Sequence, residues 1–269
     1  DSSPKLYLDR DGKTLYDGPL AIMVNTFSAS ASEILAAAMQ DYKRAIIIGT
    51  ESTYGKGTVQ RIVDIDRLVS SEYQSQKPLG AIKITIQKFY RIDGGTTQFQ
   101  GVKPDIILPD LYDKIDIGEK ELDYPLQWSE VKSSQHMIWP KAPNIKDLAK
   151  KSAARTQKDS SFLLIKEAAK WLSDTKDQES ISLEINTFRK KSDEDLTLSK
   201  KYKNAGKASV PLEVLSNAAG IDQNKEKENS TLDSVACKRI EDWNKSIKED
   251  VTLYEAYQII SDMIKSLQK

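Results

Sequence analysis

Two short and nearly continuous apolar runs, LAIMVN ending at Asn25 and RAIIIGT ending at Thr50, read as buried strands of a parallel sheet. Between them SEILAAAMQDYKR repeats at helical spacing and predicts a helix whose apolar face is Ile34, Leu35, Ala38 and Met39. That is a strand, helix, strand unit. In GAIKITIQKFYRI the isoleucines 82, 84 and 86 alternate with Lys83, Thr85 and Gln87, the two-residue period of a strand with one covered face. Asp93 to Gly95 marks a tight turn, and the prolines of GVKPDIILPD suit an extended edge segment.

From about Tyr112 the pattern changes. A stretch with Pro125, Pro140 and Pro143 reads as a linker, and long segments rich in lysine and glutamate follow. Phe162, Ile165, Ala169 and Leu172 mark one amphipathic helix; Leu253, Ala256, Ile260 and Ile264 mark another. Such helices pack on one another or on the first half. Gly220 to Ser230 is polar and reads as a mobile loop. The pattern divides the chain into an α/β part over 1–112, a linker over 113–145 and a helical domain over 146–269.

Composition narrows the classes. The 269 residues carry 40 basic and 40 acidic side chains, so no net field draws nucleic acid or an anionic membrane. No apolar run approaches the roughly 20 residues of a membrane span. The single cysteine, Cys237, excludes an internal disulfide and a cysteine zinc site, and reads as an idle thiol. The single histidine, His136, lies in a loop-like stretch far from any serine motif. A serine enzyme built on this chain therefore needs another base, and no metal or other cofactor is expected.

Candidate chemistry gathers in two places. VNTFSASASEI sets Ser28, Ser30 and Ser32 between a strand and a helix. Any of the three could simply cap the helix. The same geometry can also present a hydroxyl beside a backbone N–H that receives an oxyanion, as in nucleophile elbows, with Ala29 and Ala31 in place of the usual glycines. After the second strand comes ESTYGKGTVQ, where Gly55 and Gly57 flank Lys56. A solvent-facing lysine in a glycine turn is the plain reading. A phosphate loop is excluded, because five residues separate Gly49 from Gly55 where that motif has four, and Gly57 occupies the magnesium-binding Ser/Thr position. A serine near one strand end and a lysine after the next strand can meet at one sheet edge as a nucleophile and its base. Such a lysine needs its pKa lowered from about 10.4 by roughly 2–3 units, which desolvation can supply. Gln60, four positions on, is either a partner for the amine or an ordinary strand residue.

Together these residues carry a resemblance. The stretch from Asn25 to Gln60 resembles the active-site region of the tail-specific, or C-terminal processing, serine peptidases. The resemblance extends from about Gly18 through Pro109, with GGTTQFQGVKPDI as a later landmark, and the second half looks like the helical extension of the longer bacterial members. It implies the C-terminal part of a crotonase/ClpP-like α/β peptidase core, built of strand-strand-helix units and followed by an α-helical domain. It further implies Ser30 as nucleophile, Lys56 as general base, Gln60 as orienting third member and the Ala31 N–H as an oxyanion donor. Asp41, Gly55 and Gly57 become supporting residues. Twenty-six positions separate Ser30 from Lys56, one more than in the best-known members, and the extra residue falls in the lysine loop.

The implied activity is cleavage of proteins recognised by their C-terminal tails, through an acyl-enzyme, in the periplasm or cell envelope. The implied partners are protein or peptide substrates, with an adaptor protein on the helical domain. The family's PDZ domain and glycine-rich oxyanion segment have no counterpart in this sequence, so the chain is expected to be a C-terminal fragment. Two other readings keep the fold: a non-catalytic scaffold that docks an adaptor, and a crotonase-like enzyme acting on acyl thioesters. The serine and lysine pair argues against the latter.

Overall fold

The computed structural model describes residues 8, 10–176, 178, 180–214 and 234–267. The polar stretch Gly220 to Ser230 and the Cys237 side chain lie outside the described residues. Strands β1 (Ala21–Val24), β2 (Ile46–Gly49) and β5 (Ile106–Ile107) form a parallel sheet in the order β1-β2-β5. Ala21 pairs with Ile46 and Ile48 with Ile106, so β2 is central and β5 is the edge segment read from its prolines.

Strand β2 is covered on both faces. Ile47 packs with Val24, Ala36, Ala37 and Val102 beneath helix α1 (Ala31–Asp41). Ile46 and Ile48 point the other way, into a core with Leu148, Phe162, Ile165, Val251, Ile259 and Met263. Those residues come from helices α2 (Ile145–Thr156), α3 (Ser160–Lys176) and, after α4 (Ile185–Tyr202) and α5 (Ser234–Glu249), from α6 (Val251–Leu267). A continuous apolar strand with helices on both sides is what the unalternating run predicts. Arg155 of α2 reaches across to Glu255 and Asp262 of α6, at 2.7 Å each, which fixes the two helices on the sheet.

Three faces differ from the sequence reading. On α1 the covered residues are Glu33, Ala36 and Ala37, whereas Ile34 and Leu35 are exposed. The small alanines let the helix approach β2 closely, which the larger side chains would prevent. On α6 the buried positions are Val251, Glu255, Ala256, Ile259 and Met263, and Ile264 is exposed. Ala256 is thus buried as predicted, while Ile259 and Met263 take the places read for Ile260 and Ile264, and Glu255 on the same side meets Arg155. Strands β3 (Thr58–Asp64) and β4 (Ala81–Lys88) form an antiparallel hairpin apart from the main sheet. The alternation in β4 is present, but no described element covers Ile82, Ile84 and Ile86.

The proline-bearing stretch is tied along the α/β half. Gly95 bridges Glu130, Lys88 Nζ donates to the Gln127 carbonyl and the Trp139 N–H donates to the Tyr42 carbonyl. Helix α1 ends where Lys43 adopts φ 52, with the Arg44 N–H returning to the Met39 carbonyl and the Lys43 N–H to that of Gln40. That left-handed cap turns the chain directly into β2.

Candidate active site

The turn between β1 and α1 is closed by Asn25 and Ser28. The Asn25 N–H donates to Ser28 Oγ at 3.0 Å, and the Ser28 N–H donates to the Asn25 carbonyl at 2.9 Å. The Phe27 N–H donates to Asn25 Oδ1. Ser28 is thereby engaged in holding the turn. Ser32 is exposed in the first turn of α1. Between them Ser30 stands at the helix N-cap with φ 55 and ψ −113. A residue other than glycine costs energy in that region, and such strain concentrates where a side chain must be aimed. Ala31 follows as the first helical residue. Its N–H belongs to the opening turn, where the helix supplies no acceptor.

The loop between β2 and β3 lies against this turn. The Tyr54 N–H donates to the Ser28 carbonyl at 2.9 Å, and the Thr26 hydroxyl donates to that of Ser52. Glu33, in the first turn of α1 and fully buried, joins the two segments. Its Oε2 accepts the N–H groups of Ser30 at 2.8 Å and Lys56 at 2.9 Å. Its Oε1 accepts the Thr53 hydroxyl at 2.6 Å and the Gly55 N–H at 2.7 Å. Ser30 and Lys56, both half-buried, are thus brought together through backbone and carboxylate. No direct hydrogen bond joins their side chains.

Gly55 has φ 90, a conformation that favours glycine. Gly57 has a different constraint: a Cβ there would collide with the backbone of Gln98. The fully buried Gln98 side chain accepts the Gly57 N–H at 2.8 Å and donates to Glu119 and the Leu126 carbonyl. Lys56 is therefore held between two clamped glycines. Gln60 lies on β3 opposite Thr85, at the bulge after Val59, and is exposed. It makes no side-chain hydrogen bond to Lys56.

Asp41 is at the far end of α1, about 16 Å along the axis from Ser30 at the usual helical rise. It grips Arg91, which also donates to Gln40 Oε1 at 2.9 Å. Burial works against the charge on Arg91, but the Asp41 carboxylate more than offsets it and raises the guanidinium above its ordinary value. Next to it, burial raises the Asp105 carboxyl, although Asp105 accepts the Ile47 N–H at 2.8 Å. His136 is at this same distal end, with Nε2 at 3.3 Å from the Asp41 carbonyl and its ring against Tyr42.

The sequence reading passed over Glu33 and Gln98. For Glu33 a signal exists, since Ser30 and Glu33 have the S-x-x-E spacing of a capping box. For Gln98 no local signal marks a glutamine whose three partners lie in other segments.

Residues 112–265 match the family described as the C-terminal domain of tail specific protease, and residues 2–108 match peptidase family S41. The chain belongs to the tail-specific protease family. One relative, the tail-specific protease of Haemophilus influenzae, is 38% identical over 217 residues, covering 77% of this chain and 30% of that protein. The carboxy-terminal-processing protease of Bartonella bacilliformis is 40% identical over 110 residues, covering 39% of this chain and 23% of that protein. The chain thus spans under a third of the length of these family members. A solved photosystem II D1 C-terminal processing protease aligns over 34% of this chain and 20% of its own, with 34% identity and a TM-score of 0.28. Among the described residues no helix is long and apolar enough to cross a membrane.

Proposed function

We propose that this chain carries the serine and lysine of an endopeptidase that cleaves proteins recognised by their C-terminal tails. The observation carrying the proposal is Ser30 itself, held in a strained conformation at a strand-to-helix turn with the Ala31 N–H beside it. In this reading, substrate closes the site and draws Lys56 into hydrogen-bonding reach of Ser30, as catalytic contacts commonly tighten in the substrate complex.

Neutral Lys56 Nζ takes the Ser30 Oγ proton, and Oγ bonds to the peptide carbonyl carbon. The carbonyl electron pair moves to oxygen, where the Ala31 N–H donates to it. Collapse of this adduct breaks the C–N bond, and the Lys56 ammonium returns its proton to the leaving amine. Water then attacks the ester while Lys56 accepts a water proton, which passes to Ser30 as the acid product leaves. Gln60 on β3 orients the amine once substrate is bound. Asp41 supports the site from the distal end of α1. The family's bacterial members suggest a periplasmic or envelope setting.

The test is active-site labelling of the intact protein with a fluorophosphonate, located by mass spectrometry, alongside cleavage of an unstructured protein. Label on Ser30, with turnover abolished in Lys56→Ala but folding retained, is the expected outcome. Label on another serine, or normal turnover in Lys56→Ala, overturns the assignment.

A further inference from the structure

Glu33 does more than a helix cap requires. A capping carboxylate at this position needs one bond, to the N–H of the N-cap residue, and Glu33 makes it to Ser30 at 2.8 Å. Its three other donors, the Thr53 hydroxyl and the N–H groups of Gly55 and Lys56, belong to the lysine loop and contribute nothing to the helix. The Thr53 hydroxyl in turn accepts the Val102 N–H at 2.7 Å, which fastens the loop to the segment leading into β5. A fully buried carboxylate with two donors on each oxygen has fixed position and rotation, so whatever it touches inherits both.

We infer that Glu33 is the positioning residue of the site: its Oε2, shared by the Ser30 and Lys56 N–H groups, sets the spacing between nucleophile and base. This rests on the serine and lysine reading. Glu33 itself touches neither substrate nor the reacting atoms; it acts through the two backbones. Glutamine cannot replace it. The amide offers one oxygen for two of the four donors and turns an NH2 group toward the other two, which forces the Ser30 turn and the lysine loop apart. Displacement of reacting groups by about 1 Å costs on the order of a hundredfold in rate.

The experiment is steady-state cleavage and fluorophosphonate labelling of the intact protein in Glu33→Gln and Thr53→Val, with thermal unfolding of each. Glu33→Gln is expected to lower kcat by roughly 100-fold with KM within threefold of the parent, and to slow labelling of Ser30 similarly. Thr53→Val, which removes one donor to Oε1 together with the acceptor of the Val102 N–H and so loosens both the carboxylate and the lysine loop, is expected to lower kcat by about tenfold with KM again preserved. A folded Glu33→Gln protein with kcat within threefold of the parent overturns the inference. Should Glu33→Gln fail to fold, Thr53→Val decides: a kcat unchanged, or a loss confined to KM, overturns it. Ser30→Ala and Lys56→Ala are run in parallel. Full turnover in those variants sinks the serine and lysine reading, whereas their inactivity beside an active Glu33→Gln sinks only the role of Glu33.

Discussion

The Asn25 N–H donates to Ser28 Oγ, and this bond separates three serines that composition alone leaves equivalent. Ser28→Ala is expected to cost about 1 kcal/mol in chemical denaturation, the usual worth of such a bond, and to keep more activity than Ser30→Ala. Ser32→Ala, at an exposed position, should stay within about 0.5 kcal/mol of the parent. Inactivity in Ser28→Ala with activity in Ser30→Ala would move the nucleophile.

Gly57→Ala should disturb the site through backbone contact. The added methyl collides with the Gln98 main chain, and flexible side-chain movement cannot relieve it. Destabilisation of about 1–3 kcal/mol is expected, as for other overpacked positions. Peptidase activity should fall further than the unfolded fraction explains, because Lys56 is the neighbouring residue. A variant with unaltered stability would show that this segment yields easily.

The Asp41 and Arg91 pair, largely buried, is expected to matter for stability at the distal end of α1. Asp41→Asn or Arg91→Met alone leaves an unmatched group and should cost about 3 kcal/mol in denaturant unfolding. Replacing both with apolar residues should recover part of that loss. If the double variant is worse than either single one, the pair contributes more than mutual neutralisation.

Glu184 gives a dependence on pH. Its carboxylate caps α4, and hydrogen bonding from Thr187 and then Asn186 lowers its pKa from 4.5 to about 2. A depressed acid contributes stability that is complete above the unfolded value and is lost as pH falls through the folded one. Helicity of α4 should therefore decline between about pH 4.5 and pH 2. Site-resolved NMR titration checks the carboxyl, and Glu184→Gln should remove the dependence.

The β1, α1, β2 unit, the β4 alternation and the turn at Gly94 were legible because local periodicity and glycine chemistry determine them. The meeting of the Ser30 turn with the Lys56 loop was legible only as a sheet-edge argument, and the carboxylate that joins them was not. The S-x-x-E spacing marks Glu33 only as a cap for the Ser30 turn; its hold on the lysine loop depends on donors 20 to 23 positions away. Local reading placed the covered face of α3, where Phe162, Ile165 and Ala169 are buried, but not that of α1, where Ile34 and Leu35 are uncovered while alanines pack on β2. The apolar side of the β3 and β4 hairpin makes the same point: two-residue alternation specifies a strand without specifying what lies on it.

The isoleucine triplet in β2 has a mechanical consequence. Ile47 is committed to α1, while Ile46 and Ile48 are committed to the C-terminal helices, and the lysine loop departs from the end of this strand. Stripping those helices away would bare the underside of β2 and slacken the loop above it. The intact chain should therefore melt as one cooperative unit, with protection of the amides at residues 46–48 from exchange and inhibitor reactivity at Ser30 lost in the same step.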